Sequence, residues 1–67
     1  MRFVVQKADG KYIYAVVTMD GRSWATWWHE RDKAMKFLSE SEASLYAAMF
    51  GGITVPFMRR RKKVENL

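Results

Sequence analysis

The sequence predicts a small α+β domain, built on a three- or four-stranded antiparallel meander with one packing helix and a C-terminal edge strand, followed by a basic tail. Two Asp-Gly turns, Asp9-Gly10 and Asp20-Gly21, separate three runs that are rich in β-branched and aromatic residues. A Ser-x-x-Glu signal at Ser39 is typical of a helix start. Five consecutive cations follow the last strand-like run.

The three strand-like runs are expected to pair in chain order. The first covers residues 2–7, the second covers residues 11–18, and the third begins at Arg22 and ends at Trp27 or Trp28. Consecutive strands joined by tight Asp-Gly turns are typical of an antiparallel meander, because such turns match the twist of paired strands. The first half of the chain is therefore predicted to be β-β-β.

Residues 29–38 are compatible with two structures. Asp32 is suited to cap a short helix, whereas residues 34–38 have the composition of a fourth short strand. The sequence leaves both alternatives open for this segment.

The second half of the chain predicts one helix and one last strand. Ser39 and Glu42 form a capping box, residues 43–50 are mostly good helix formers, and Gly51-Gly52 ends the helix. Residues 53–58 read as a strand that includes a proline at position 56, which cannot donate a ladder hydrogen bond. This last strand is therefore expected at an edge of the sheet, or broken there.

The charge of the chain is concentrated at its end. Residues 1–58 carry seven Lys/Arg and six Asp/Glu, whereas residues 59–67 carry five Lys/Arg and one Glu. We therefore expect a single, nearly neutral domain over residues 1–58 and a flexible basic tail over residues 59–67.

The tail is the first candidate binding segment. Its cations are Arg59, Arg60, Arg61, Lys62 and Lys63. Such a run can neutralise phosphates of nucleic acid, dock on an acidic protein surface, or only improve solubility. A membrane partner is not expected, because no amphipathic helix adjoins the run.

Aromatic side chains of the second and third strands form the second candidate site. In a regular strand, Trp24 and Trp28 share one face and Trp27 points to the other, so at least one tryptophan is expected to be exposed or to lie at an interface. The same alternation places Ile13, Ala15 and Val17 toward the helix and the tyrosines of that strand on the open face. The candidate aromatic interaction surface comprises Tyr12, Tyr14, Trp24, Trp27 and Trp28.

These aromatics have two functional interpretations and one structural interpretation. They can stack nucleic-acid bases beside the nearby Arg2, Lys11 and Arg22, or they can form a hot spot for a protein partner. The structural alternative is packing across the sheet or in a dimer seam. Homodimerisation is a common way for a domain of this size to gain core, and this chain of 67 residues has no cysteine for disulfides.

No set of residues has the spacing of a catalytic, metal or cofactor site. His29 is followed four residues later by Lys33 and not by a second histidine, so no metalloprotease pair exists. No Gly-x-Ser-x-Gly elbow is present, and Gly51-Gly52 does not precede the Lys-Ser/Thr of a phosphate-binding loop. We therefore predict a protein that is not an enzyme and needs no cofactor or metal.

The location of the protein is predicted from composition. The sequence has no apolar run approaching the roughly 18 residues of a membrane span, and its N-terminal apolar stretch is too short for a signal peptide. These features and the lack of cysteine fit a cytoplasmic protein of bacterial or viral origin, acting in the host cytoplasm if it is viral.

The run Ala34-x-x-Phe37-x-Ser39-x-x-Glu42-Ala43, behind an aromatic hairpin with Asp-Gly and Trp, resembles small α+β proteins encoded by bacteriophages and prophages. The resemblance covers residues from about 3 to 55. It implies a module that binds and modulates host machinery, and it transfers no functional residue. The sequence thus predicts a small binding module with a host protein as partner, and nucleic acid bound through the tail and the sheet aromatics as the alternative.

Overall fold

The structure is a computed structural model and describes residues 1–58. Its elements, in chain order, are β1 (Arg2–Gln6), β2 (Tyr12–Met19), β3 (Arg22–Trp28), a 3₁₀ turn (Arg31–Lys33), α1 (Glu40–Phe50) and β4 (Ile53–Phe57). All strands pair antiparallel in one sheet of order β3-β2-β1-β4. The predicted α+β class is confirmed, while the predicted basic tail and its boundary after residue 58 lie outside the described residues.

The β2–β3 hairpin forms through the second Asp-Gly turn. Asp20 and Gly21 both have positive φ, 54° and 76°. Two successive residues with positive φ are what a two-residue hairpin turn with the twist of its strands requires. From this turn the ladder runs from Met19 opposite Arg22 to Tyr12 opposite Trp28.

A β-bulge interrupts this ladder at Tyr14. Ile13 pairs with Trp27, and Ala15 pairs with Thr26, so Tyr14 is an extra residue on β2. An extra residue reverses the side-chain alternation of everything that follows it.

The bulge corrects the faces predicted for β2. The expectation that Ala15 and Val17 share the helix-facing side with Ile13 is wrong. Val16 packs against the buried core with Ile13 instead, because the bulge shifts the alternation by one position.

The helix covers one face of the sheet. Ser39 is its N-cap and its hydroxyl accepts the Glu42 N–H at 3.2 Å, which confirms the serine half of the predicted capping box. The buried cluster beneath it comprises Val5, Ile13, Phe37, Ala43 and Ala47. Within residues 1–58, no helix has both the length and the apolarity needed to cross a membrane.

Residues 29–38 form neither predicted alternative in full. A 3₁₀ turn covers Arg31–Lys33, but its N-cap is Glu30 and not Asp32, and residues 34–38 form only an isolated bridge between Phe37 and Phe3 instead of a strand. The 3₁₀ turn comes first, and the chain then runs beside two strands. Met35 donates its N–H to the carbonyl of Ile13 at 2.8 Å, and Phe37 exchanges two backbone hydrogen bonds with Phe3 at 2.8 and 2.9 Å. This segment thus lies against both β1 and β2, whose own ladder pairs Gln6 with Tyr12.

Strand β4 is an edge strand, as the proline predicted. It pairs with β1 from Arg2 opposite Phe57 to Gln6 opposite Ile53, and Pro56 lies opposite Phe3. Phe3 packs against the core cluster on the helix side of the sheet. Since alternate residues of a strand face opposite sides, the neighbouring Arg2–Phe57 pair lies on the other face.

Candidate interaction surface

The open face of the β2–β3 hairpin carries most of the predicted aromatic residues. The pairs Ile13–Trp27 and Val16–Ala25 point to the core, so the pairs adjacent to them on either side point away from it. Two of these outward pairs are Tyr12–Trp28 and Val17–Trp24. We call the outward aromatics the aromatic surface, which comprises Tyr12, Tyr14, Trp24 and Trp28.

Three of these side chains are nearly half exposed. The exposed fraction is 49% for Tyr14, 45% for Trp24 and 43% for Trp28. Tyr12 is half-buried. Exposed aromatic side chains that lie together on one face are more informative about interaction sites than single exposed apolar residues are.

Trp28 is held in place by three neighbours. Its ring centroid lies 6.3 Å from that of Tyr14 and 4.7 Å from that of His29. Its indole Nε1 donates a hydrogen bond to Glu30 Oε1 at 3.3 Å. The orientation of the ring is therefore restricted before any partner arrives.

Trp27 lies apart from this surface. It is half-buried, packs against the core cluster, and carries the Lys7 ammonium 4.6 Å from its ring centroid. Trp27 is therefore part of the core. The other four of the five predicted aromatic residues lie together on the aromatic surface.

The cations expected near the aromatics are in three different places. Arg22 lies on β3 two residues before Trp24 and so shares the open face. Lys11 closes the β1–β2 turn, where its N–H donates to Asp9 Oδ1 at 3.0 Å. Arg2 is paired with Phe57 on β4.

A second group of charged residues surrounds Phe57. Arg31 Cζ lies 4.9 Å and Lys36 Nζ lies 4.8 Å from the centroid of this ring, and Arg31 Nη2 donates to the carbonyl of Met58 at 3.2 Å. With Arg2 opposite Phe57 in the ladder, these residues form what we call the Phe57 cluster: Arg2, Arg31, Lys36 and Phe57.

Sequence reasoning missed the Phe57 cluster. No local spacing in the sequence relates residues 31, 36 and 57. The only available signal was that a proline-containing edge strand ends in an aromatic residue directly before the basic run. The five cations of that run, Arg59 to Lys63, lie outside the described residues.

A groove of about 860 Å³ lies between the β1–β2 turn and the end of α1, lined by residues 6–10 and 50–53. Its polar side chains are engaged elsewhere: the Lys7 ammonium lies over the Trp27 ring, and the other two make contacts within the turn. Gln6 Nε2 donates to the carbonyl of Gly10 at 3.2 Å, and Asp9 accepts from Lys11. The groove therefore offers no convergent set of free polar groups.

Within the part of the chain that the structure describes, no group of three or more His, Cys, Asp or Glu side chains is placed to hold a metal ion. His29 is exposed and lies against the Trp28 ring.

No family model, curated protein or solved structure matches this chain.

Proposed function

We propose that this protein is a small, non-enzymatic binding module that takes a protein partner on its aromatic surface. The observation that supports this most directly is the exposure of Tyr14, Trp24 and Trp28 on one face of a single hairpin. Tryptophan, tyrosine and arginine are the residues most enriched in the hot spots of protein interfaces.

The arrangement of Trp28 favours tight binding. Association costs free energy when side chains lose rotamer freedom at the interface, roughly 0.5–1.5 kcal/mol for each one that becomes fixed. Trp28 already contacts Tyr14, His29 and Glu30 in the free protein. Trp28 therefore loses less rotamer freedom when a partner binds, and the free-energy cost of fixing it is smaller.

The charges near the aromatic surface indicate the chemistry of the partner. Arg22 lies two residues before Trp24 on β3 and therefore on the same face. We propose a partner with an apolar centre and an acidic margin, because cations at the rim of an interface favour partners of opposite charge. The resemblance to phage-encoded modules makes a bacterial host protein the first class to test.

The test is capture from bacterial lysate, with and without nuclease treatment, by the immobilised full chain, followed by affinity measurement with the purified partner. The test variant is the double substitution W24A/W28A. Its matched control is L45A/M49A, which removes two side chains that are 64% and 62% exposed on α1. Both variants lose exposed apolar area, but only the first alters the aromatic surface.

We expect one stoichiometric protein that the unsubstituted chain and the control retain and that W24A/W28A loses. Replacing a hot-spot residue by alanine costs at least about 2 kcal/mol of binding free energy. The loss of each such tryptophan should therefore weaken the affinity about 30-fold. Equal retention by both variants would contradict the proposal. Recovery that disappears on nuclease treatment would replace the protein partner with nucleic acid, the alternative that uses the tail and the sheet aromatics.

A further inference from the structure

We infer that the outer edge of β3 pairs with the same edge of a second copy of this chain, so that two sheets join into one across a twofold axis. Strand β3 is the last strand in the sheet order β3-β2-β1-β4. Within residues 1–58 it pairs only with β2. The inference goes beyond the protein partner proposed for the aromatic surface, because strand pairing uses backbone groups and leaves the open face of the sheet free.

The two outer strands of the sheet differ in how well they are protected against pairing. A free edge presents unpaired N–H and C=O groups, and proteins commonly block such an edge with proline or lysine. Strand β4 has five residues and contains Pro56. Strand β3 has seven residues and contains neither proline nor lysine. Of these two edges, β3 is therefore the one that accepts a further strand more readily.

The core of the chain is small enough to benefit from a second copy. Seven hydrophobic residues are buried within residues 1–58, and three of these seven are alanines. Ala25 and Trp27 of β3 pack against this core and are only half-buried. Domains of this length commonly gain stability by association when one core supplies little.

The sequence of β3 is suited to pairing with itself in one register. Successive residues of an edge strand direct their backbone groups alternately toward the neighbouring strand and away from it. Two residues can therefore pair across a twofold axis only if their numbers differ by an even number. The register centred on Ala25 meets this condition and pairs all seven residues of the strand. It places Trp24 opposite Thr26, and an aromatic residue opposite a β-branched one is a favourable cross-strand pair.

The charges at the two ends of β3 are complementary in this register. Arg22 is the only charged residue of the strand and lies at its start, whereas the last residue, Trp28, donates its indole N–H to the Glu30 carboxylate. Pairing places Arg22 of one copy opposite Trp28 of the other, and so next to that carboxylate. The charged residues that follow on either side, Asp20 and Arg31, are in the hairpin turn and the 3₁₀ turn, outside the strand.

This complementarity favours a second copy over a peptide of another protein. A twofold axis brings the start of each strand to the end of the other, so a strand that pairs with itself needs opposite charges at its two ends. The β3 strand meets this requirement, and the axis forms the contact between Arg22 and Glu30 twice. The aromatic surfaces of the two copies then lie side by side on one continuous sheet.

The experiment measures the mass of the full chain by sedimentation equilibrium over a series of concentrations. The test variants are the charge reversals R22E and E30R, at two exposed positions. Each reversal alone brings like charges together at both contacts of the dimer. An equimolar mixture of the two variants permits a mixed dimer in which both contacts again join opposite charges.

We expect the unsubstituted chain to form a dimer as its concentration rises. Each reversal should raise the dissociation constant about tenfold, because two contacts change from attraction to repulsion. The mixture should associate about as well as the unsubstituted chain. A mixture that associates no better than either variant alone would overturn the inference. An unsubstituted chain that stays monomeric up to about 1 mM would overturn it as well.

A lysine substitution tests the position of the interface independently of these two charges. In the proposed register the Thr26 side chains of the two copies are diagonal neighbours, so T26K brings two lysines together across the axis. The matched control is T18K on β2, because Thr18 is also exposed in the same hairpin. T26K should dissociate the dimer, and T18K should not. Dissociation by T18K alone, or equally by both variants, would exclude the β3 edge and leave the protein partner of the aromatic surface to be tested separately.

Discussion

Tyr14 and Trp28 meet on the open face of the hairpin with ring centroids 6.3 Å apart and ring planes inclined at 45°. Tyr14 is the extra residue of the β2 bulge. The same bulge places Val16 on the helix side of the sheet. One local irregularity thus adds an aromatic ring to the aromatic surface and aligns a residue of the core.

Deletion of Tyr14 should leave the fold intact. The pairs on both sides of the bulge, Ile13–Trp27 and Ala15–Thr26, then become consecutive in a regular ladder, and no side chain changes face. The loss of unfolding free energy should be about 1 kcal/mol, the value of one aromatic pair. Urea denaturation followed by circular dichroism measures it.

Deletion of Ala25 is the control for this experiment. Ala25 pairs with Val16 in the regular part of the ladder, so its removal turns Trp27 from the core toward solvent. This variant should lose cooperative unfolding. Equal destabilisation by the two deletions would contradict the pairing, in which Tyr14 is an extra residue that can be removed without turning other side chains to the opposite face.

Trp27 and Trp28 should respond differently to alanine. Trp27 packs on the core, so W27A should lower the free energy of unfolding by about 2–3 kcal/mol, somewhat less than the 3–5 kcal/mol of a fully buried aromatic. W28A removes a side chain that is 43% exposed and should cost about 1 kcal/mol or less. Chemical denaturation of both variants tests this. A larger cost for W28A would assign it to the core.

Ser39→Ala should destabilise the helix start. The Ser39 hydroxyl accepts the Glu42 N–H, and loss of an N-cap serine costs about 1 kcal/mol. Ser41→Ala is the matched control, because Ser41 is exposed in the first turn and is not the cap. Thermal unfolding should show a lower midpoint for S39A than for S41A. Equal midpoints would mean that the Ser39 hydroxyl does not stabilise the start of the helix.

Gly52→Ala and Gly51→Ala should both destabilise, for different reasons. A Cβ at Gly52 would lie 2.9 Å from the Gln6 carbonyl oxygen and 3.0 Å from Val5 Cγ1, so β4 must move away from β1 at a cost of about 1–3 kcal/mol. A Cβ at Gly51 meets nothing within 4 Å, but the backbone has φ +87° and ψ 112°, a sparsely populated region for a side-chain-bearing residue that costs about 1–3 kcal/mol.

Amide hydrogen exchange separates the two glycine variants. G52A should lose protection in the β1–β4 ladder, around Val5 and Thr54, because the clash lies between those strands. G51A should lose protection mainly at the end of α1. Loss of amide protection at the same residues in both variants would contradict the proposal that the two substitutions destabilise the protein for different reasons.

Much of the fold was predictable because its signals are local. Asp20-Gly21 specifies a hairpin through the φ values of two residues, Ser39 specifies a helix start through one hydrogen bond, and Pro56 specifies an edge through its missing donor. Part of the aromatic surface was predictable for the same reason. Trp24, Trp27 and Trp28 lie on a strand without a bulge, so simple alternation separates them correctly.

The sequence by itself determined the order of the elements, the turns and the division of charge between residues 1–58 and residues 59–67. Only the tertiary structure decided which face of β2 meets the helix and which cations gather at Phe57. The bulge at Tyr14 is a property of two paired strands, and it reverses the alternation that the sequence of β2 alone predicts. The Phe57 cluster joins residues 2, 31, 36 and 57, whose proximity results from strand pairing and chain reversal and has no periodic trace in the sequence.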